Sequence, residues 1–152
     1  MDDYPLLHVS APIYIMTIQQ PCYSCGQQID VSAIATRSLI DPEYDDPEAL
    51  NGEVCLLTNI ESIPEEIARL IQLKHPRYSK TANLEYMMTV CNCGAHQGDF
   101  FVGKALFDAA CNEPDLIKVE KLPIQGKWDL SCGYSYSSAY ELLIDAVEKT
   151  AG

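Results

Sequence analysis

At 152 residues, with 47% hydrophobic and 21% charged side chains, the chain has the size and composition of one soluble domain able to bury a core without disulfides. Twenty-two acids against ten bases give a net charge of -12, which argues against a nucleic-acid partner, because that affinity is drawn from Lys and Arg contacts to phosphates. No apolar run approaches the roughly 18 residues of a membrane span, and Met1-Asp2-Asp3-Tyr4-Pro5 lacks the basic and apolar regions of a secretory leader, so the expected setting is cytoplasmic, with no membrane partner. In that reducing setting seven cysteines, an odd number, suit thiols and metal ligands better than disulfides.

In chain order, Ile13-Tyr14-Ile15-Met16-Thr17-Ile18 has the composition of a buried strand. A cysteine turn, Cys22-Tyr23-Ser24-Cys25-Gly26, follows, and Ile29 to Ala35 alternates apolar and polar residues like a strand leaving it. Together they predict a hairpin with Cys22 and Cys25 at its tip. Residues 37–52 combine Asp41-Pro42, Asp46-Pro47 and Asn51-Gly52 with many acids and read as a long surface loop. Val54-Cys55-Leu56-Leu57 is a short buried strand in which Cys55 serves as a small core residue. Ser62-Ile63-Pro64-Glu65 is a helix start, with Ser62 as cap, and Ile63, Ile67, Leu70 and Ile71 share one helical face before His75-Pro76 stops the run.

Leu84 to Val90 then predicts a strand entering a second cysteine turn, Cys91-Asn92-Cys93-Gly94, and Phe100-Phe101-Val102 predicts the strand leaving it. A short helix is expected over residues 104–111, an edge strand over Ile117-Lys118-Val119-Glu120 and a turn at Gln125-Gly126-Lys127. Ser138-Ala139-Tyr140-Glu141 repeats the capping pattern, and Ala139, Leu142, Leu143, Ala146 and Val147 form an apolar stripe for a last helix. Cys111 and Cys132 read as ordinary thiols, and Trp128 with Tyr134, Tyr136 and Tyr140 as an aromatic approach to that helix.

The two cysteine turns carry the chemistry. A structural zinc ion takes four ligands in a tetrahedron, and two short turns can each aim two thiolates at one point. Cys22, Cys25, Cys91 and Cys93 are therefore the expected ligands of a structural Zn2+, each pair followed by a glycine, Gly26 or Gly94, that lets the backbone bend back on the sulfurs. The one-residue spacing of the second pair leaves His96 as an alternative ligand. A thioredoxin-type redox pair at Cys22 and Cys25 would need a helix start, and Gln27 to Ala35 reads as a strand. A zinc deaminase would need an upstream His-x-Glu, where the chain has His8-Val9-Ser10. Hydrolytic zinc would need an open position and a carboxylate base; Asp99 is near in sequence but reads as a turn residue. No catalytic residues are expected.

Charge is unevenly spread. Residues 1–68 hold twelve acids and one cation, Arg37, whereas residues 69–152 hold ten acids and nine bases. Within the acidic part, Asp41, Glu43, Asp45, Asp46 and Glu48 form the candidate surface for a basic protein partner.

The combination Cys22-x-x-Cys25-Gly26 with Tyr86…Cys91-x-Cys93-Gly94…Gln97-Gly98-Asp99-Phe100-Phe101 resembles a loose group of small bacterial proteins with zinc-ribbon-type cysteine turns, over roughly residues 20–103. The resemblance implies a metal-stabilised scaffold in a bacterial cytoplasm and brings no catalytic residues. In size and charge the chain is also similar to the immunity proteins that neutralise toxins. The expectation is one α+β domain over residues 1–152: an antiparallel sheet, a zinc-ribbon-type site from two cysteine hairpins, and two or three packed helices, near 63–74 and 138–149 and at 104–111. Its expected function is that of an acidic inhibitor, immunity- or antitoxin-like, of a basic toxin. The alternative is a zinc-dependent enzyme or thiol redox protein using the cysteine turns.

Overall fold

The fold is that of a computed structural model, which describes residues 6–44, 46, 49, 51–61, 63–80 and 86–151. It is an α+β arrangement of three antiparallel sheets and three α-helices. In chain order the elements are β1 (Leu6–Ser10), β2 (Ile13–Pro21), β3 (Gln28–Thr36), β4 (Leu39–Ile40), β5 (Cys55–Thr58), α1 (Glu65–Lys74), β6 (Tyr78–Ser79), β7 (Met88–Val90), β8 (His96–Gln97), α2 (Asp99–Asn112), β9 (Lys118–Lys121), β10 (Lys127–Ser131), β11 (Gly133–Tyr136) and α3 (Glu141–Ala151). The central sheet runs β11-β5-β3-β2-β9; β10-β1-β4 and β6-β7-β8 form two smaller ones.

The central sheet explains the apolar run at residues 13–18. Successive side chains of a strand point to opposite faces, and here both faces are covered, so polar alternation disappears. Tyr14, Met16 and Ile18 of β2 join Val31, Ala33 and Ala35 of β3, with Val102, Leu106 and Ala109 of α2 and Ile144 of α3, in one core. Ile13 and Ile15 face the other way, into a second core with Leu7, Val9, Leu39 and Leu130 of the β10-β1-β4 sheet and Ile67 and Ile71 of α1. The result is three layers: helices α2 and α3, the central sheet, and the smaller sheet with α1.

Most predicted elements fall where the sequence places them, including the hairpin of β2 and β3, paired from Ile13↔Thr36 to Pro21↔Gln28, and the edge position of β9. Four details differ. The strand expected at Phe100-Phe101-Val102 is the first turn of α2, which absorbs the helix expected at 104–111. Gly98 stands in extended backbone before it, Asp99 sits favourably at the positive helix end, and Phe100 is 87% exposed, while Val102, Leu106 and Ala109 are buried in the core with Phe101, Ala105 and Ala110 packed beside them. The strand that leaves the second cysteine turn is instead the two-residue β8, and the part of the expected 84–90 strand that is described narrows to β7.

The cap before the last helix is Ser137, whose Oγ accepts the Ala139 N–H at 3.1 Å and opens a 3-10 turn, Ser138–Tyr140, ahead of α3. Glu141, expected to reach back to that cap, instead serves as an acceptor for Arg37 and for the Val54 N–H. The acidic stretch 37–52 is not all loop: β4 pairs with β1, and Leu39 is fully buried. The expected cap Ser62 lies outside the described residues; the residue immediately before α1 is Pro64.

Candidate metal centre

The β2–β3 hairpin is long and straight, and its turn delivers Cys22 and Cys25 beyond the end of the central sheet. Backbone bonds close that turn: Cys22 N–H donates to Gln27 O at 2.8 Å, and Gly26 N–H to Cys22 O at 2.9 Å. Gly26 adopts φ 78°, a left-handed conformation that is costly for a residue with a Cβ. The β7–β8 hairpin has the same construction on a smaller scale. Cys91 N–H donates to Ala95 O at 2.9 Å, Gly94 N–H to Cys91 O at 2.8 Å, and Gly94 takes φ 91°. The Ser32 N–H, which donates to Thr89 Oγ1 at 3.0 Å, ties this second hairpin to β3.

The two tips meet. The sulfurs of Cys22, Cys25, Cys91 and Cys93 all lie within 4.8 Å of one another. Cys22 Sγ is 3.7 Å from Cys93 Sγ, and Cys25 Sγ is 3.6 Å from Cys91 Sγ. A disulfide would need about 2.05 Å, so the four are free thiols. Four sulfurs at about 2.3 Å from a central ion would stand about 3.8 Å apart, which fits the spacing across the cluster. Cys22 and Cys91 are buried, while Cys25 and Cys93 close the solvent side.

Hydrogen bonds prepare the inner sulfur for charge. The backbone N–H groups of Cys25 and Ser24 lower the Cys22 thiol to about 6 against the opposing effect of burial, and the Ser24 N–H lies 3.4 Å from its sulfur. Cys93 moves up to about 11: the Ala95 N–H lowers it, but burial and the three neighbouring thiols together outweigh that. Four thiols so close cannot all ionise against one another. A dication supplies what the cluster lacks, since a coordinating thiol is deprotonated outright.

One neighbour was not singled out from the sequence as a supporting group. Gln97 is fully buried in β8, and its Nε2 donates to Cys22 Sγ at 3.4 Å and to Ala95 O at 3.2 Å, whereas its Oε1 has no partner among the described residues. Its position four residues beyond Cys93, two into the strand returning from the turn, was the available signal. His96, the alternative ligand, pairs with Val90 in β8 and is not among the clustered residues.

The other sequence-derived candidates scatter. Asp41 is buried, its Oδ2 accepting the Tyr134 hydroxyl at 2.9 Å and its Oδ1 the Glu43 N–H at 3.0 Å, so it holds the acidic segment rather than presenting charge. Glu43 and Asp46 are exposed; Asp45 and Glu48 lie outside the described residues. Burial raises the thiols of Cys55, to about 11, and Cys132, to about 12, which makes both unreactive at neutral pH. His75 is satisfied at the end of α1, 3.3 Å from Glu120 Oε1. No described helix is long and apolar enough to cross a membrane. The chain matches no family model, no curated protein and no solved structure.

Proposed function

We propose that the protein is an acidic binding protein, built on a structural zinc site of the zinc-ribbon type, that engages a basic protein partner. The observation that supports it is the convergence of four cysteine sulfurs from two hairpin turns. A tetrathiolate shell is complete, leaving no position for a substrate or an activated water, and closed shells of this kind hold folds together rather than catalyse. Residues Cys22, Cys25, Cys91 and Cys93 hold the ion, and Gln97 with the hairpin N–H groups orients and neutralises the sulfurs. The alternative of a zinc enzyme or thiol redox protein needs an open ligand position or a two-cysteine centre.

With the cysteines committed to the scaffold, function falls to the surface. Exposed Glu43 and Asp46, in a segment whose other described residues include no cation between Ser38 and Glu61, give long-range attraction to a basic protein. An immunity-type inhibitor of a basic toxin is the form of this reading that the chain's size and charge suit.

Two measurements test it. X-ray absorption on the purified, zinc-loaded chain should give four sulfur neighbours at about 2.3 Å; an oxygen neighbour, as from a bound water, would favour the enzymatic alternative. For the partner, replacing Glu43 and Asp46 by Lys should slow association with a basic partner and flatten its salt dependence. Unchanged association would remove this surface from the reading.

A further inference from the structure

The central sheet leaves part of one face open. Across that face Tyr14 stands opposite Ala35, Ala35 opposite Leu56, and Leu56 opposite Ser135. One row along, Met16 stands opposite Ala33, and at the far edge Thr58 stands opposite Gly133. The edge strand β11 therefore presents only Ser135 and Gly133 to that face, and α2 packs on β2 and β3 rather than on β11. The space between them is a cleft of about 770 Å³, with Leu56, Val102, Phe107 and Tyr140 among its apolar lining. That volume lies within the usual range of ligand pockets, about 300–1,000 Å³.

Three features of the cleft bear on what would occupy it. First, β11 is the edge strand of the central sheet, so its outer backbone N–H and C=O groups meet no strand among the described residues. Second, Asp99 lines the cleft half-buried, and its one hydrogen bond among the described residues is from the Asn59 N–H at 2.5 Å. No cation pairs with it among the described residues: Lys104, at the rim, is turned to Asp108 at 3.0 Å. Third, Gly103 lines the cleft in the middle of α2, where glycine costs about 0.5–1 kcal/mol relative to Ala. A Cβ there would meet nothing within 4 Å, so packing does not demand the glycine. Its absence of side chain keeps the cleft open.

We propose that this cleft receives an extended segment of the partner protein, which adds to β11 as a sixth strand, sets alternate apolar side chains into the cleft and meets Asp99 with a Lys or Arg. Backbone bonds to the edge supply affinity in this mode and the pockets for alternate side chains supply specificity. The carboxylate selects the cation, since a half-buried charge with no counter-ion among the described residues gains from one. The inference rests on the reading of the protein as a binder of a basic partner, and names the part of that partner which would dock.

The test uses a random dodecapeptide display library panned against the full zinc-loaded chain, with Gly103→Leu as the counter-screen. That variant fills the cleft from open space and replaces glycine by a better helix former, so it should melt no lower than the parent. Selected peptides should carry a Lys or Arg beside alternating apolar residues. A synthesised peptide of that sequence should bind at least tenfold more weakly to Gly103→Leu and to Asp99→Asn, and should slow amide exchange at residues 133–136. Equal binding to Gly103→Leu, no preference for a cation, or no enrichment at all would overturn the cleft as a peptide groove. None of these depends on Glu43 or Asp46, so charge reversal there fails or succeeds separately and reports on the parent reading.

Discussion

Gln97 shows how much a single buried amide decides at the metal centre. Its Nε2 faces a sulfur that must carry charge when an ion is bound, while its Oε1 lies buried without a partner among the described residues. An unsatisfied buried acceptor costs stability, so Gln97 is a poor choice on packing grounds and a good one for a thiolate. Gln97→Leu should therefore leave the metal-free protein no less stable, yet weaken zinc binding by about 10–100-fold, the usual cost of losing such an outer partner. Competition with a chromophoric chelator measures it; unchanged affinity would reduce Gln97 to a filler. Asp99 is the second residue with a measurable cost. Burial raises its carboxyl above the usual range, only partly opposed by the Asn59 N–H. A carboxyl whose folded pKa is raised favours folding while protonated, and that contribution is lost as pH rises through the raised value. Asp99→Asn should thus be more stable than the parent at neutral pH, with the difference shrinking as pH falls toward about 4. Urea unfolding at several pH values checks the sign.

Among the elements, α3 is tied down by two cations: Lys121 of β9, which pairs with Glu148 at 3.3 Å, and Arg37, which follows β3. Arg37 Nη2 donates to Glu141 Oε2 at 2.6 Å and to Asp145 Oδ1 at 2.9 Å, one helical turn apart, while Glu141 Oε1 accepts the Val54 N–H at 3.2 Å. Arg37 and Glu141 are each about a quarter exposed, so solvent screens part of the attraction. Arg37→Ala should cost about 1–2 kcal/mol in a denaturant titration, with Arg37→Lys between the two because it keeps the charge on a shorter, more strongly hydrated side chain. This role was hidden in the sequence: Arg37 was visible only as the lone cation of the acidic half. By contrast β2 and β3 were legible: residues 13–18 of β2, buried on both faces, leave an apolar run, and β3 alternates apolar with polar residues as it leaves the turn. The start of α2 was not. Phe100-Phe101-Val102 reads equally well as buried strand or buried helix, and what decides it is the sheet face waiting for Val102 and Leu106. Exposed Phe100, expected in a strand, lines the open cleft from the first turn of α2 instead.

At the scale of the whole molecule, the cysteine spacing made the meeting of the two turns readable even though they are far apart in sequence. What no local pattern encodes is how the sheet's three layers leave a cleft at one edge, since that follows from the order in which distant strands pair. The clasp itself joins unequal partners. β2 and β3 are paired over nine residues and packed into both cores, whereas β6, β7 and β8 are two or three residues long and hold few backbone bonds. Such short strands are marginal on their own. Losing the ion should therefore loosen the small sheet first. Cys93 is the residue to change, because it is exposed, whereas Cys91 lies in the core and would leave a packing defect as well. An ion present at about 100 times its dissociation constant stabilises by about 2.7 kcal/mol, about 5–10 °C in melting temperature for a chain of this size. Cys93→Ser, or the parent stripped with chelator, should lose a shift of that order. Amides of residues 88–97 should exchange faster while those of β2 and β3 stay protected. If Cys93→Ser bound no zinc yet melted and exchanged like the parent, the four cysteines would not be a structural clasp.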